Sequence, residues 1–72
     1  MVFNNVLLRA KDPQRVTEIS GLLRQQASLS SEEPGCEQFD VYQSETEPEL
    51  FFLIEVWASE GHLAQHREAK AF

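Results

Sequence analysis

The sequence has few of the features that mark secreted or membrane-spanning proteins. Only one of its 72 residues is cysteine, Cys36, so an intramolecular disulfide is excluded. Arg9 and Lys11 interrupt the apolar N-terminal stretch before a signal peptide would be complete, which predicts a location in the reducing cytoplasm. The longest apolar run, 50–54, is far shorter than the roughly 20 residues of a membrane span, so no membrane partner is expected.

Basic residues are also scarce. The chain has 6 Lys and Arg against 12 Asp and Glu, a net charge of −6. Positive and negative charges balance over 1–36, so 37–72 carry the whole excess of negative charge. A phosphate backbone would be repelled by such a surface, which excludes nucleic acid as an expected partner. The carboxylates are interpreted as a solvated surface that keeps the protein soluble.

Length limits the chain to a single domain, 1–72. A core of this size supplies only ~3–5 kcal/mol, and small domains usually add disulfides, a metal or a partner subunit. The apolar fraction of 42% is too high for a disordered chain.

Hydrophobic periodicity and turn residues predict an α+β domain with the order β-α-β-β-α. Asp12 and Pro13 are a typical helix start, as N-cap and first helical residue, and Ser59 is a second N-cap. The predicted strands cover 2–11, 36–44 and 50–58, and the predicted helices cover 13–30 and 59–70.

The third predicted strand is apolar on both faces. One face carries Phe52, Ile54 and Val56, and the other carries Phe51, Leu53 and Trp57 together with Glu55. Such a strand needs cover on both sides, and two helices on short crossovers cover only one. We therefore expect a homodimer in which the sheets of two chains face each other.

Two histidines and the single cysteine are the first candidates for chemistry. His62 and His66 lie one helical turn apart, a spacing used by metal ligands, but no third ligand is evident, so no metal is expected. The alternative is that both are solvated or line a cavity. Cys36 is interpreted as a small buried apolar residue, because no nearby cations favour its thiolate.

The third strand also offers an acid beside an indole. Glu55 and Trp57 point to the same face, where a desolvated carboxylate would act as a base beside an aromatic platform. The alternative is that Glu55 forms a structural ion pair with a cation such as Arg9. Asn4 and Asn5 are unusual in a strand, and one of them has to face inward, where its amide is suited to orient a ligand oxygen.

Four segments follow one another along the chain in a recognisable order: Glu33-Pro34-Gly35-Cys36, Phe39-Asp40-Val41-Tyr42-Gln43, the stretch from Phe52 to Ser59, and His62-Leu63-Ala64-Gln65-His66. Together they resemble the antibiotic biosynthesis monooxygenase family of small dimeric α+β-barrel proteins. The resemblance covers nearly the whole chain and implies a ferredoxin-like unit. It is less specific for activity, because members of this family differ in the reactions they catalyse and some have no known reaction.

The resemblance also implies site residues. Asn5 resembles the first-strand asparagine that holds substrate or oxygen in some relatives, Glu55 and Trp57 match the third-strand pattern, and His66 matches a histidine of quinol-oxidising members. His66, Asn5 and Glu55 are therefore the expected catalytic residues. Trp57, Tyr42 and Phe51 are the expected substrate-binding residues.

The family pattern continues after the second helix with a further strand that pairs with the first strand. This sequence ends at Phe72, so the expected fold is a β-α-β-β-α unit that lacks this last strand, in a chain that is either a truncated product or completed by a neighbour.

Two functional hypotheses remain open. The first is a cofactor-independent monooxygenase that oxidises an electron-rich aromatic, of quinol or polyketide type, with O₂. The second is a non-catalytic dimeric module on the same fold, with a ligand-binding or stress-related role.

Overall fold

Three strands and two helices follow one another along residues 1–69, the part of the chain that this computed structural model describes. The strands are β1 (Val2–Arg9), β2 (Cys36–Gln43) and β3 (Leu50–Trp57), and the helices are α1 (Val16–Ser30) and α2 (Glu60–Ala69). A short 3₁₀ turn, Pro13–Arg15, precedes α1. The order β-α-β-β-α confirms the predicted α+β, ferredoxin-like class.

The element boundaries lie close to the predicted ones, and local hydrogen bonds explain the starts of the helices. The Asp12 carboxylate accepts a hydrogen bond from the Gln14 N–H at 2.9 Å, as predicted for an N-cap. The Ser59 hydroxyl likewise accepts from the His62 N–H at 3.2 Å. Each strand ends one or two residues earlier than predicted. The predicted end of the second helix, Lys70, lies outside the described residues.

The sheet places β3 in the centre, in the order β1-β3-β2, with both pairings antiparallel. In this register Glu55 on β3 lies between Asn4 on β1 and Phe39 on β2. Because side chains alternate between the two faces of a strand, this register fixes which residues of the three strands share a face.

Both helices and the core lie on the same face of the sheet. That face carries Trp57, Leu53 and Phe51 from the central strand, and it packs against Leu63 of α2. The α1 residues that pack onto the core recur at helical spacing: Val16, Ile19, Leu23 and Ala27. We call this surface the covered face.

The opposite surface of the sheet, which we call the open face, is apolar and accessible. It carries four large exposed apolar or aromatic side chains: Phe3, Leu7, Tyr42 and Phe52. The prediction that β3 is apolar on both faces is confirmed, and within residues 1–69 the helices cover only one of these faces. No helix in this range is long and apolar enough to cross a membrane.

The turn before β2 depends on Gly35. Its φ of 81° lies in the left-handed region, and the imidazole ring of His62 packs directly over its Cα. The Gly35 carbonyl also accepts a hydrogen bond from the Ala58 N–H at 2.7 Å. This turn therefore ties the start of β2 to the end of β3 and to α2.

Two glycine substitutions test this reading of the turn. Gly35→Ala is expected to reduce the free energy of unfolding by about 2 to 4 kcal/mol, because it adds backbone strain and the new methyl group overlaps the His62 ring. Gly21→Ala, inside α1 with nothing near the new methyl group, is expected to raise it by about 0.5 to 1 kcal/mol. Urea unfolding followed by circular dichroism measures both. Equal stability of Gly35→Ala and the parent protein would contradict the conclusion that this turn requires glycine at position 35.

Candidate functional site

A cluster of polar side chains interrupts the apolar core where α2 crosses the end of β3. Glu55 and Trp57 project from β3 to the covered face, and His66 reaches them from α2. Glu33 joins them from the turn between α1 and β2. Of these four residues, only Glu55 and Trp57 are close together in the sequence. The fold therefore assembles the cluster from three separate segments.

His66 is the centre of the cluster. It is only 3% exposed, and its Nδ1 lies 3.1 Å from each carboxylate oxygen of Glu33. On the other side of the ring, Nε2 lies 4.0 Å from Oε1 of Glu55. The imidazole is therefore flanked by carboxylates on both of its nitrogen sides.

Glu55 is a buried carboxylate whose partner is an indole. It is 3% exposed, and its Oε1 accepts a hydrogen bond from Trp57 Nε1–H at 3.1 Å. Burying a carboxylate is costly unless it is hydrogen-bonded or paired, and the Trp57 indole supplies the hydrogen bond. The alternative that paired Glu55 with Arg9 is wrong, because Arg9 binds the surface carboxylates of Glu47 and Glu49 instead.

Aromatic rings hold the imidazole of His66 in place. The Trp57 ring centroid lies 4.7 Å away with the planes 35° apart, and the Phe39 ring centroid lies 5.6 Å away at 60°. Phe51 is buried in the same core cluster as Trp57 and Phe39. Rotation of the His66 ring about its long axis would have to displace these neighbours, so its orientation is fixed by packing as well as by Glu33.

Asn4, and not Asn5, lies on the covered face. Asn4 is the β1 partner of Glu55, and it alternates with Val2 and Val6, which pack against the core. Asn5 is exposed on the open face, opposite Ile54, so the expected grouping of Asn5 with His66 and Glu55 is not formed. Tyr42 also lies on the open face, as the partner of Phe52, and the structure does not bring it to Trp57.

His62 and Cys36, the other candidates for chemistry, form hydrogen bonds outside the cluster. The Nδ1 atom of His62 lies 2.8 Å from the Ser59 hydroxyl, and His62 does not join His66 in a ligand set. Within 1–69, no three His, Cys, Asp or Glu side chains are grouped to hold a metal ion. Burial raises the pKa of the Cys36 thiol, and the charges of Glu33, Glu55 and Glu37 raise it further despite a hydrogen bond to Gln38.

Glu55, Trp57 and His66 are closed to solvent, whereas the Glu33 side chain is partly exposed. Trp57 is 0% exposed, and the described residues enclose no open pocket. No buried side-chain nitrogen or oxygen in this part of the chain lacks a hydrogen-bond partner. The site is therefore pre-organised but filled, and a ligand can reach His66 only when a covering element moves.

The sequence pattern assigned no role to Glu33, and it left open whether Asn4 or Asn5 faces inward. Glu33 lies beside Pro34 and Gly35 in a turn, and its distance of 33 positions from His66 gives no local signal of their contact. For Asn4, the available signal is its alternation with Val2 and Val6. That signal is ambiguous, because Phe3 and Leu7 on the other face of β1 are equally apolar.

Known structures with the same fold extend beyond this chain in length. PA3566 from Pseudomonas aeruginosa superimposes with a TM-score of 0.86 at 26% identity, over 94% of this chain and 68% of its own. A candidate antibiotic biosynthesis monooxygenase from Deinococcus radiodurans matches with a TM-score of 0.86 at 26% identity, over 92% of this chain and 64% of its own. A conserved protein from Methanosarcina mazei matches with a TM-score of 0.78 at 30% identity, over 97% and 70%.

Sequence comparison identifies the family of the chain. No curated protein matches the chain. The family pattern of the antibiotic biosynthesis monooxygenases, in contrast, matches residues 1–72. Together with the β-α-β-β-α order and the three-stranded antiparallel sheet, this match shows that the chain belongs to the antibiotic biosynthesis monooxygenase family.

Proposed function

We propose that the protein is a cofactor-independent monooxygenase that oxidises an electron-rich aromatic, of quinol or polyketide type, with O₂. The observation that carries this proposal is the buried His66 imidazole, flanked by two carboxylates and packed against an indole. Membership of a family named for monooxygenases supports the same class of reaction. The proposal requires one base, a surface for an aromatic ring and a site without bulk water.

The chemistry needs little from the protein beyond proton removal. A base removes the proton of a phenol, and the resulting anion transfers one electron to O₂. The two radicals combine at a ring carbon that lies ortho or para to the oxygen and carries a hydrogen, and the resulting peroxide anion takes back the proton held by the base. Loss of water from that peroxide leaves a carbonyl group, so one oxygen atom of O₂ enters the product and the other leaves as water. Excluding bulk water favours this sequence by protecting the anion.

His66 is the proposed base, through Nε2. Its Nδ1 is occupied by Glu33, so Nε2 is the nitrogen that is available to accept the phenolic proton. After this transfer, the new N–H of the ring lies on the side of the Glu55 carboxylate, 4.0 Å away in the resting structure. Glu55 is thus placed to stabilise the charge that develops on the ring.

Trp57 and Phe51 are the proposed aromatic surface for the substrate, and Asn4 is the proposed group that orients its oxygen. No side-chain hydrogen bond within residues 1–69 uses the Asn4 amide, and its strand position places it beside Glu55. An amide of this kind is suited to bind a phenolate oxygen through its N–H group. Asn5 and Tyr42, on the open face, are outside this proposed site.

Oxygen consumption with a panel of naphthols, hydroquinones and anthrones tests the reaction. We expect the parent protein to consume O₂ with at least one of these and to transfer one atom of isotopically labelled O₂ to the product. His66→Ala is expected to lower kcat by about 10² to 10⁴, the usual contribution of a positioned base. Asn4→Ala is expected to lower it by about tenfold or more, through the loss of one hydrogen bond to a charged oxygen.

Two substitutions serve as matched controls. Asn5→Ala removes the neighbouring amide on the open face, and His62→Gln removes the other histidine of α2. Both are expected to keep kcat within about twofold of the parent value, because within residues 1–69 neither side chain hydrogen-bonds to His66, Glu55 or Glu33. Equal rates for Asn4→Ala and Asn5→Ala, or for His66→Ala and the parent protein, would contradict the assigned roles.

We also propose that the protein is a homodimer through the open face. Phe3 is 69% exposed and Leu7 is 66% exposed, and both lie on the same face of the sheet as Tyr42 and Phe52. Leu7, Phe52 and Tyr42 form one row across the three strands. Soluble monomers seldom expose a large contiguous apolar patch. A second copy of the same face is a self-complementary cover, with two sheets packed against each other.

Charge substitution on the open face tests the dimer. Leu7→Glu is expected to shift the mass measured by light scattering during size-exclusion chromatography from a dimer to a monomer, because two carboxylates would be buried per interface. Leu22→Glu is the control, since Leu22 is 54% exposed but lies on α1, away from the sheet surface. A monomeric parent protein at micromolar concentration would contradict the proposal.

One observation favours the second hypothesis, a non-catalytic dimeric module. The cluster around His66 is filled, and the described residues enclose no open pocket for an aromatic substrate. On this hypothesis the buried polar groups fix the position of α2 and do no chemistry. An intact dimer that turns over none of the panel, with identical stability of Asn4→Ala and Asn5→Ala, would favour it.

A further inference from the structure

The partner of His66 in the turn, Glu33, takes no part in the proton and electron transfers proposed above, although it makes the shortest polar contact of the ring. Both of its carboxylate oxygens lie 3.1 Å from Nδ1, whereas the nearest approach of Nε2 to Glu55 is 4.0 Å. The His66 side chain is 4% exposed and that of Glu33 is 29% exposed. The contact therefore lies at the edge of the core, where water competes weakly for the ring.

The geometry assigns the proton of the neutral ring. A carboxylate only accepts hydrogen bonds, so an imidazole nitrogen at hydrogen-bonding distance from one has to carry a hydrogen. Nδ1 therefore carries the hydrogen, and Nε2 keeps its lone pair. A neutral imidazole of the opposite tautomer would present a bare Nδ1 to two carboxylate oxygens.

Two acceptors compete for this one ring proton. Glu55, on the Nε2 side, would stabilise the opposite tautomer, but its Oε1 already accepts the Trp57 indole N–H and lies beyond hydrogen-bonding distance of Nε2. The packed rings of Trp57 and Phe39 oppose a 180° flip of the imidazole about its Cβ–Cγ bond, which would turn Nδ1 away from Glu33 and put a ring carbon in its place. With the ring orientation held, the competition between Glu33 and Glu55 selects the tautomer.

We infer that Glu33 is a positioning residue that holds neutral His66 in the Nδ1–H tautomer, so that the lone pair of Nε2 faces the interior of the site. The catalytic consequence of this inference rests on the proposed function, because the tautomer affects turnover only if Nε2 is the base. The assignment of the tautomer itself rests on the contacts alone. A carboxylate that orients a catalytic histidine in this way is a known means of activating the other ring nitrogen.

Nuclear magnetic resonance of the protein with ¹⁵N-labelled histidine tests the tautomer without any substrate. At a pH where the rings are neutral, long-range proton–nitrogen correlation spectra distinguish a protonated from a bare ring nitrogen. We expect a protonated Nδ1 and a bare Nε2 for His66, with the His62 signals identified by their loss in His62→Gln. A protonated Nε2 in the parent protein would overturn the inference on its own.

Substitutions of Glu33 test whether its carboxylate selects the tautomer of His66. Glu33→Ala is expected to move the ring proton toward Nε2, where Glu55 is the remaining acceptor, and Glu33→Asp is expected to keep part of the Nδ1–H form, because it retains a carboxylate. Glu32→Ala removes the neighbouring exposed carboxylate and is expected to leave the spectrum unchanged. An unchanged Nδ1–H signal in Glu33→Ala would also overturn the inference.

Kinetics separate this inference from the proposed function. With a substrate of the panel, Glu33→Ala is expected to lower kcat by about 10- to 100-fold and to leave KM within about twofold, with Glu33→Asp between it and the parent protein. Unchanged kcat in Glu33→Ala would overturn the positioning role. If the parent protein turns over no substrate, the proposed function fails, and the magnetic resonance spectra still decide the tautomer.

Discussion

The central position of β3 is the constraint on which the rest of the structure depends. β3 is paired along both edges and is apolar on both faces, so the sheet needs cover above and below. The helices of the chain cover one face, and that cover buries Glu55 and Trp57 together with the core. The other face keeps Phe3, Leu7 and Phe52 exposed. The buried cluster and the proposed interface are therefore opposite sides of one strand.

The cost of burying a carboxylate also explains why the polar side chains of the cluster lie so close to one another. A carboxylate at the position of Glu55 is costly inside a small core, and a network that is only partly satisfied would destabilise the domain. Trp57 donates to Glu55, and His66 lies between Glu55 and Glu33. The contacts that offset the cost of the buried charge also fix the orientation of the imidazole. A fixed orientation is what a catalytic base requires. Stability and the proposed chemistry thus depend on one set of contacts.

Local signals in the sequence predicted the elements well. Asp12 and Ser59 were identifiable as caps because their side-chain oxygens satisfy amides two or three residues ahead, and the structure contains both hydrogen bonds. The face shared by Glu55 and Trp57 was also predictable, since strand geometry alone places alternate residues together. These features depend on neighbours within a few positions, and such neighbours are visible in the sequence.

The features that were missed depend on pairing between distant segments. The expected choice of Asn5 over Asn4 required the phase of β1, and β1 has apolar residues on both faces, so only its register with β3 fixes which amide points inward. Glu33 reaches His66 because the turn before β2 and the helix α2 meet at Gly35, whose lack of a side chain admits the ring of His62. No periodicity in the sequence reports that contact.

The most direct test of the central claim is binding of an aromatic ligand beside Trp57, the only tryptophan of the chain. An anaerobic titration with a naphthol or hydroquinone, followed by tryptophan fluorescence, excludes turnover and reports on the buried cluster alone. The account predicts a saturable change in fluorescence that is weakened by Asn4→Ala and unaffected by Asn5→Ala. A change that is linear in ligand concentration, or one that Asn5→Ala abolishes while Asn4→Ala does not, would contradict it.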